Sequence, residues 1–132
     1  MSKINSIIDD LDEVCEMARI CKLPNKIEIF VNTDDGWNIP HFHVWKKTSC
    51  RNHEWETCIK FDSPEYFLHG KYSDKISTKI AKEIDFALRS VDLSDRFKRT
   101  FWEIAIDEWN RNNSSKDLPL ELEQPDYTKL NK

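Results

Sequence analysis

Ile39-Pro40-His41-Phe42-His43-Val44-Trp45-Lys46 alternates with period two, so Phe42 and Val44 share one side of an extended chain and His41, His43 and Trp45 the other. Pro40 has no amide hydrogen, which places it at the start of that strand or on a sheet edge. Upstream, residues 26–31 alternate Ile27, Ile29 and Val31 against Lys26, Glu28 and Phe30, and the turn cluster Asn32-Thr33-Asp34-Asp35-Gly36 follows. The two segments read as a hairpin. Downstream, a polar loop with Thr48, Ser49, Cys50, Arg51 and Asn52 leads to a further alternating run over residues 55–61, rich in strand-favouring side chains. Pro64 then interrupts, residues 65–69 suggest a short fourth strand, and Gly70 closes it.

On either side of this block the period changes to that of a helix. Ile4, Ile7, Ile8, Leu11, Val14, Cys15, Ala18 and Cys21 follow three-four spacing, predicting an amphipathic helix over residues 4–21 that stops before Pro24. After Gly70, Ser73 or Asp74 caps an expected helix whose stripe is Ile76, Ile80, Ile84, Ala87, Leu88 and Val91. The break Asp92-Leu93-Ser94 opens a last helix, from Asp95 to about Asn110, with Phe97, Phe101, Ile104, Ala105 and Trp109 inward. Beyond Asn112 the pattern is lost, and residues 113–132 read as a flexible or partner-docking tail. The expectation is therefore a single α+β domain over residues 1–112. It has an N-terminal helix, a three- or four-stranded antiparallel sheet, and two C-terminal helices packed on the sheet.

Composition limits the function classes. The chain has 132 residues, enough to bury a core without staples. Two glycines leave no phosphate-cradling Gly-rich loop, and a net charge of -4 argues against duplex nucleic acid or an anionic membrane as main partner. No apolar run reaches the roughly 18 residues of a membrane span, and no export signal is seen, so a cytoplasmic location is expected. The four cysteines, Cys15, Cys21, Cys50 and Cys58, are then expected as free thiols, with Cys15 a small core residue.

His41 and His43 are the sharpest chemical feature. An i, i+2 pair on a strand points both imidazoles the same way, with Cβ atoms roughly 7 Å apart. Such a pair can hydrogen-bond locally in a half-buried sheet, exchange protons near neutrality, or converge on an ion. A zinc site needs further ligands, and Cys50 and His53 are the nearest in sequence. That loop lacks a C-x-x-C turn, so no tightly held metal is favoured and no cofactor is expected. A cupin would need an acid where Lys47 and Thr48 stand, and a histidine-triad hydrolase a third histidine at Trp45. No glycine flanks any serine or cysteine, which removes a nucleophile elbow.

The stretch Ile39-Pro40-His41-Phe42-His43-Val44 resembles the P-P-H-F-H motif of a family of small bacterial proteins of unknown function. In that family a hairpin carrying the motif precedes a strand and then helices ending in a tryptophan-rich segment. The similarity runs from about Phe30 to Asn112 and takes in Trp102 and Trp109. Ile39 replaces the first proline, the loop between the second and third strands is longer, and the helix over residues 4–21 is additional. Members of the family are often described as one half of toxin–antitoxin-like gene pairs. The resemblance implies a compact domain working beside a small protein partner, with His41 and His43 as its natural site.

Three functions compete. The first is an interaction module, toxin–antitoxin-like or of immunity type, in which surplus aromatics such as Trp37, Trp45, Trp55 and Trp102 form the binding surface. The second is a small RNase-like enzyme in which His41 and His43 act as acid and base while Lys71, Lys75 or Arg51 holds phosphate. Lys71, Lys75, Lys79 and Lys82 form a row that suits RNA, an acidic partner or plain solvation. The third is a metal-binding regulator built on His41, His43, Cys50 and His53. The oligomeric state is open.

Overall fold

A computed structural model describes residues 17–32, 39–48, 52–68, 74–113 and 117–131. Among them, four antiparallel strands lie in the order β1 (Met17–Leu23), β2 (Ile27–Asn32), β3 (His41–Lys47) and β4 (His53–Lys60). Two helices follow the sheet, α1 (Thr78–Arg89) and α2 (Phe101–Asn112). The class is α+β, as the alternation around His41 implies. No helix among the described residues is long and apolar enough to cross a membrane.

β1 corrects the sequence reading. Residues 17–21, expected as the end of a helix, are strand, and the rest of that helix, residues 4–16, lies outside the described residues. The register shifts between Arg19 and Cys21, a bulge that lets the consecutive residues Ile20 and Cys21 both bury. With the bulge, Ala18 and Cys21 fall three apart on the inner side, which mimics a helical stripe. Pro24 ends no helix; it opens a three-residue turn in which Asn25 and Lys26 have φ of 64° and 65°. The short polar side chain of asparagine tolerates that left-handed region better than most.

The expected fourth strand at residues 65–69 shrinks to one bridge, Ile59 with Tyr66. It is flanked by hydrogen bonds from Lys60 N–H to Glu65 O and from Phe67 N–H to Cys58 O, each 2.9 Å. Ser77, not Asp74, caps α1, accepting from Ile80 N–H, and Ala81, Ile84 and Leu88 bury its inner stripe. Asp74 instead accepts from the Glu56 backbone N–H at 3.2 Å. Helix α2 starts later than expected, at a capping box in which Thr100 accepts from Glu103 N–H while the Glu103 carboxylate accepts from Thr100 N–H. Residues 91–100 form a turn closed by the Val91–Thr100 bridge, and the Arg99 guanidinium holds the Asp95 carboxyl well below the usual carboxylate range. Phe97, expected inward, is 71% exposed; Trp102 and Ile106 bury in its stead. Thr100→Ala removes the box, so we expect a loss of about 1 kcal/mol of stability in urea denaturation.

The core lies between the sheet face bearing Ile27, Ile29, Phe42 and Val44 and the inner sides of both helices. Residues 117–131, expected to lie outside it, complete it: Leu118, Tyr127 and Leu130 are buried. Asn110 clamps Leu118 by donating to its carbonyl at 2.9 Å and accepting from its amide at 2.7 Å. The Tyr127 hydroxyl donates to Lys60 O at 2.6 Å, and its ring meets Phe42 edge-on at 5.5 Å.

Candidate functional site

The opposite face of the sheet is polar and yet buried. Register sets His43 opposite Cys58 and Trp45 opposite Glu56, so His41, His43, Glu56 and Cys58 share that face. His41, His43 and Cys58 are 0%, 1% and 0% exposed. One ligand atom from each of these three lies within 4.8 Å of the others. Cys58 Sγ is 3.3 Å from His43 Nδ1, which is also 3.3 Å from Glu56 Oε2. His41 Nδ1 is 2.8 Å from the Ile39 carbonyl, an acceptor only, so that nitrogen carries a proton. The His41 ring packs against Phe67 at 4.9 Å and Trp109 at 5.7 Å.

The cluster is graded outward. Glu56, with its side chain 13% exposed, joins His43 to His53, whose side chain is 27% exposed, through a 3.4 Å Oε1–Nδ1 contact. Trp45 stacks on His53 at 4.0 Å, packs on Phe30 at 3.9 Å and donates to the buried Glu28 carboxylate at 3.1 Å, which Arg19 also pairs. Trp45 is therefore a half-buried wedge between His53 and Phe30.

Of the residues singled out from the sequence, His41 and His43 come together as expected and His53 stands one carboxylate away. Cys58 takes the position considered for Cys50, which lies outside the described residues, as do Trp37, Arg51 and Lys71. Cys58 was legible as an inward thiol once β4 was aligned antiparallel to β3, but that register is a tertiary property. Trp55 packs against the core, and Lys75 is exposed with its Nζ 5.9 Å from the Tyr66 ring centroid. Among the described residues Cys21 and Cys58 are free thiols.

A second feature is an apolar groove of about 500 Å3 between β1 and α1, lined by Cys21, Leu23, Pro24, Phe86, Ala87 and Phe101 with Lys22, Lys82 and Glu83 at its rim. Phe86 is 75% exposed. The turn leaving the groove at Ser90 and returning at Phe101 carries Leu93 at 78% and Phe97 at 71%. Burial, with the negative charge of Asp92 added, pushes the Cys21 thiol up to about 12, so it stays protonated at neutral pH. The sequence reading singled out tryptophans and did not single out these exposed side chains. The Thr100-x-x-Glu103 box was the available signal that the helix starts after Phe97 and leaves Leu93 and Phe97 on a turn.

No family model, curated protein or solved structure matches the chain.

Proposed function

We propose that the protein is a small cytoplasmic interaction module, a toxin–antitoxin-like or immunity-type component, that binds an extended acidic segment of a small partner protein along β1 and the β1–α1 groove. The observation that carries the reading is the joining of an edge strand to exposed apolar side chains. Among the described residues β1 pairs with β2 alone, the groove beside it is lined by Phe86, and the turn that leaves the groove at Ser90 and returns at Phe101 exposes Leu93 and Phe97. Three such large side chains, each more than seven-tenths exposed in neighbouring parts of the fold, exceed the scattered surface apolars of an ordinary domain. A strand added to β1 gains backbone hydrogen bonds, and its alternate side chains face the groove. Lys22 and Lys82 at the rim, against the single acid Glu83, favour acidic flanks and disfavour pairing with a second copy of the same edge. The RNase alternative needs imidazoles that a phosphodiester can reach, and His41 and His43 are buried.

The test is reconstitution with the product of the neighbouring gene, read by titration calorimetry. We expect a complex that Phe86→Glu and Phe97→Glu each weaken at least about tenfold, while Leu120→Glu, at an exposed site away from the groove, leaves affinity unchanged. Absence of a complex, or equal affinity in the two phenylalanine variants, overturns the reading. A homodimer seen by sedimentation and lost in Phe86→Glu overturns it in favour of a self-association face.

A further inference from the structure

We infer that His41, His43 and Cys58 form a three-residue site for one zinc-class divalent ion that ties β3 to β4. The inference is independent of the partner-binding reading and uses the opposite side of the sheet.

The donor set is the first argument. Two imidazoles and a thiol suit zinc and its softer neighbours, whereas magnesium and calcium seek oxygen. Distances are the second. Zn–N bonds of about 2.0 Å and Zn–S bonds of about 2.3 Å at tetrahedral angles separate N and S ligands by roughly 3.5 Å. Cys58 Sγ stands 3.3 Å from His43 Nδ1 and 3.8 Å from Nε2, and the three residues' ligand atoms all fall within 4.8 Å. The third is orientation. A metal-bound histidine commonly donates its other ring N–H to a carbonyl or carboxylate, which fixes tautomer and ring. His41 does so toward Ile39 O at 2.8 Å.

The arrangement is also built in advance. His43 and Cys58 are directly cross-strand partners, His41 and Glu56 stand two residues away along their own strands, and Trp109 and Phe67 wall the His41 ring. Glu56 and His53 lead from the surface to the buried thiol and supply an entry path. Because all three core ligands are buried, the ion has no open face for substrate. Its role is structural, holding the sheet edge that supports residues 65–67. Binding deprotonates Cys58, so one proton leaves the thiol for each ion taken up.

The experiment uses the full chain, stripped with a chelator and titrated with zinc chloride or cobalt chloride. We expect one zinc per chain with Kd below about 1 μM, release of a proton per ion, and a thiolate-to-cobalt charge-transfer band in the near ultraviolet. These persist in Cys15→Ser/Cys50→Ser, while Cys58→Ser removes the band and weakens zinc at least about tenfold, as does His41→Gln. Failure of the wild-type chain to bind, a missing band, or loss of binding in Cys15→Ser/Cys50→Ser overturns the assignment. The last result would place the ion at the Cys50 loop. If Cys58→Ser does not fold, the wild-type band read in the Cys15→Ser/Cys50→Ser background decides.

Discussion

Truncation after Asn113 should abolish the cooperative thermal transition. The removed segment contributes Leu118, Tyr127 and Leu130 to the core, each at most 8% exposed. Large-to-small changes at such positions cost about 2–5 kcal/mol each, against a total stability of only about 5–15 kcal/mol for a domain. The loss also frees polar groups: Trp102 Nε1–H loses Leu122 O at 2.8 Å, and Lys60 O loses the Tyr127 hydroxyl. Calorimetry or circular dichroism of the truncated chain checks this, and a melting temperature within a few degrees of the full chain would show that the segment is dispensable. The milder Tyr127→Phe keeps the ring and loses the hydrogen bond, for about 1 kcal/mol.

Tyr127 also sets a direction with pH. Burial, then the nearby charges of Asp62 and Asp85, push its phenol well above the ordinary tyrosine range, and Cys21 is raised as well. In the unfolded chain these groups ionise first, at about 8.5 for the thiol and about 10 for the phenol. Below those values the native and unfolded states bind equal protons and the stability is whole. As pH rises past them the unfolded state sheds protons that the native state retains, so stability falls. Tyr127→Phe should shift the alkaline unfolding midpoint upward relative to its own stability at neutral pH.

The second large effect is at the centre of the sheet. Phe42→Ala should cost about 3–5 kcal/mol in urea denaturation, because the ring is fully buried against Phe61 and Tyr127 at centroid distances of 5.4 and 5.5 Å. His43→Ala should cost less, about 1–3 kcal/mol. Sequence reasoning expects that gap to be wide, with His43 facing away or into a groove. Burial of His43 between Glu56 and Cys58 narrows it, since removing the imidazole takes a polar partner from the fully buried Cys58 thiol and leaves Glu56 with His53. A larger loss for His43→Ala than for Phe42→Ala would contradict the Phe42–Ile59 register.

The alternation at residues 26–31, 39–46 and 55–61 was enough by itself for β2, β3 and β4, because a strand with one face in a core writes period two into its own side chains. The stripe around Ile84 and Leu88 was likewise enough for α1, and the shared side of His41 and His43 followed from their spacing. Only the tertiary structure decided what lies between elements. A bulge at Arg19–Cys21 disguised β1, since one extra residue breaks the period on which any local reading depends. Cys58 joined the histidines through a strand register set by pairing partners far apart in sequence. Tyr127 entered the core from a segment with no stripe of its own, because a single aromatic anchored by hydrogen bonds needs no periodicity to bury. Local patterns record the face each element turns to its neighbours; which residues meet across those faces is settled by packing the whole chain at once.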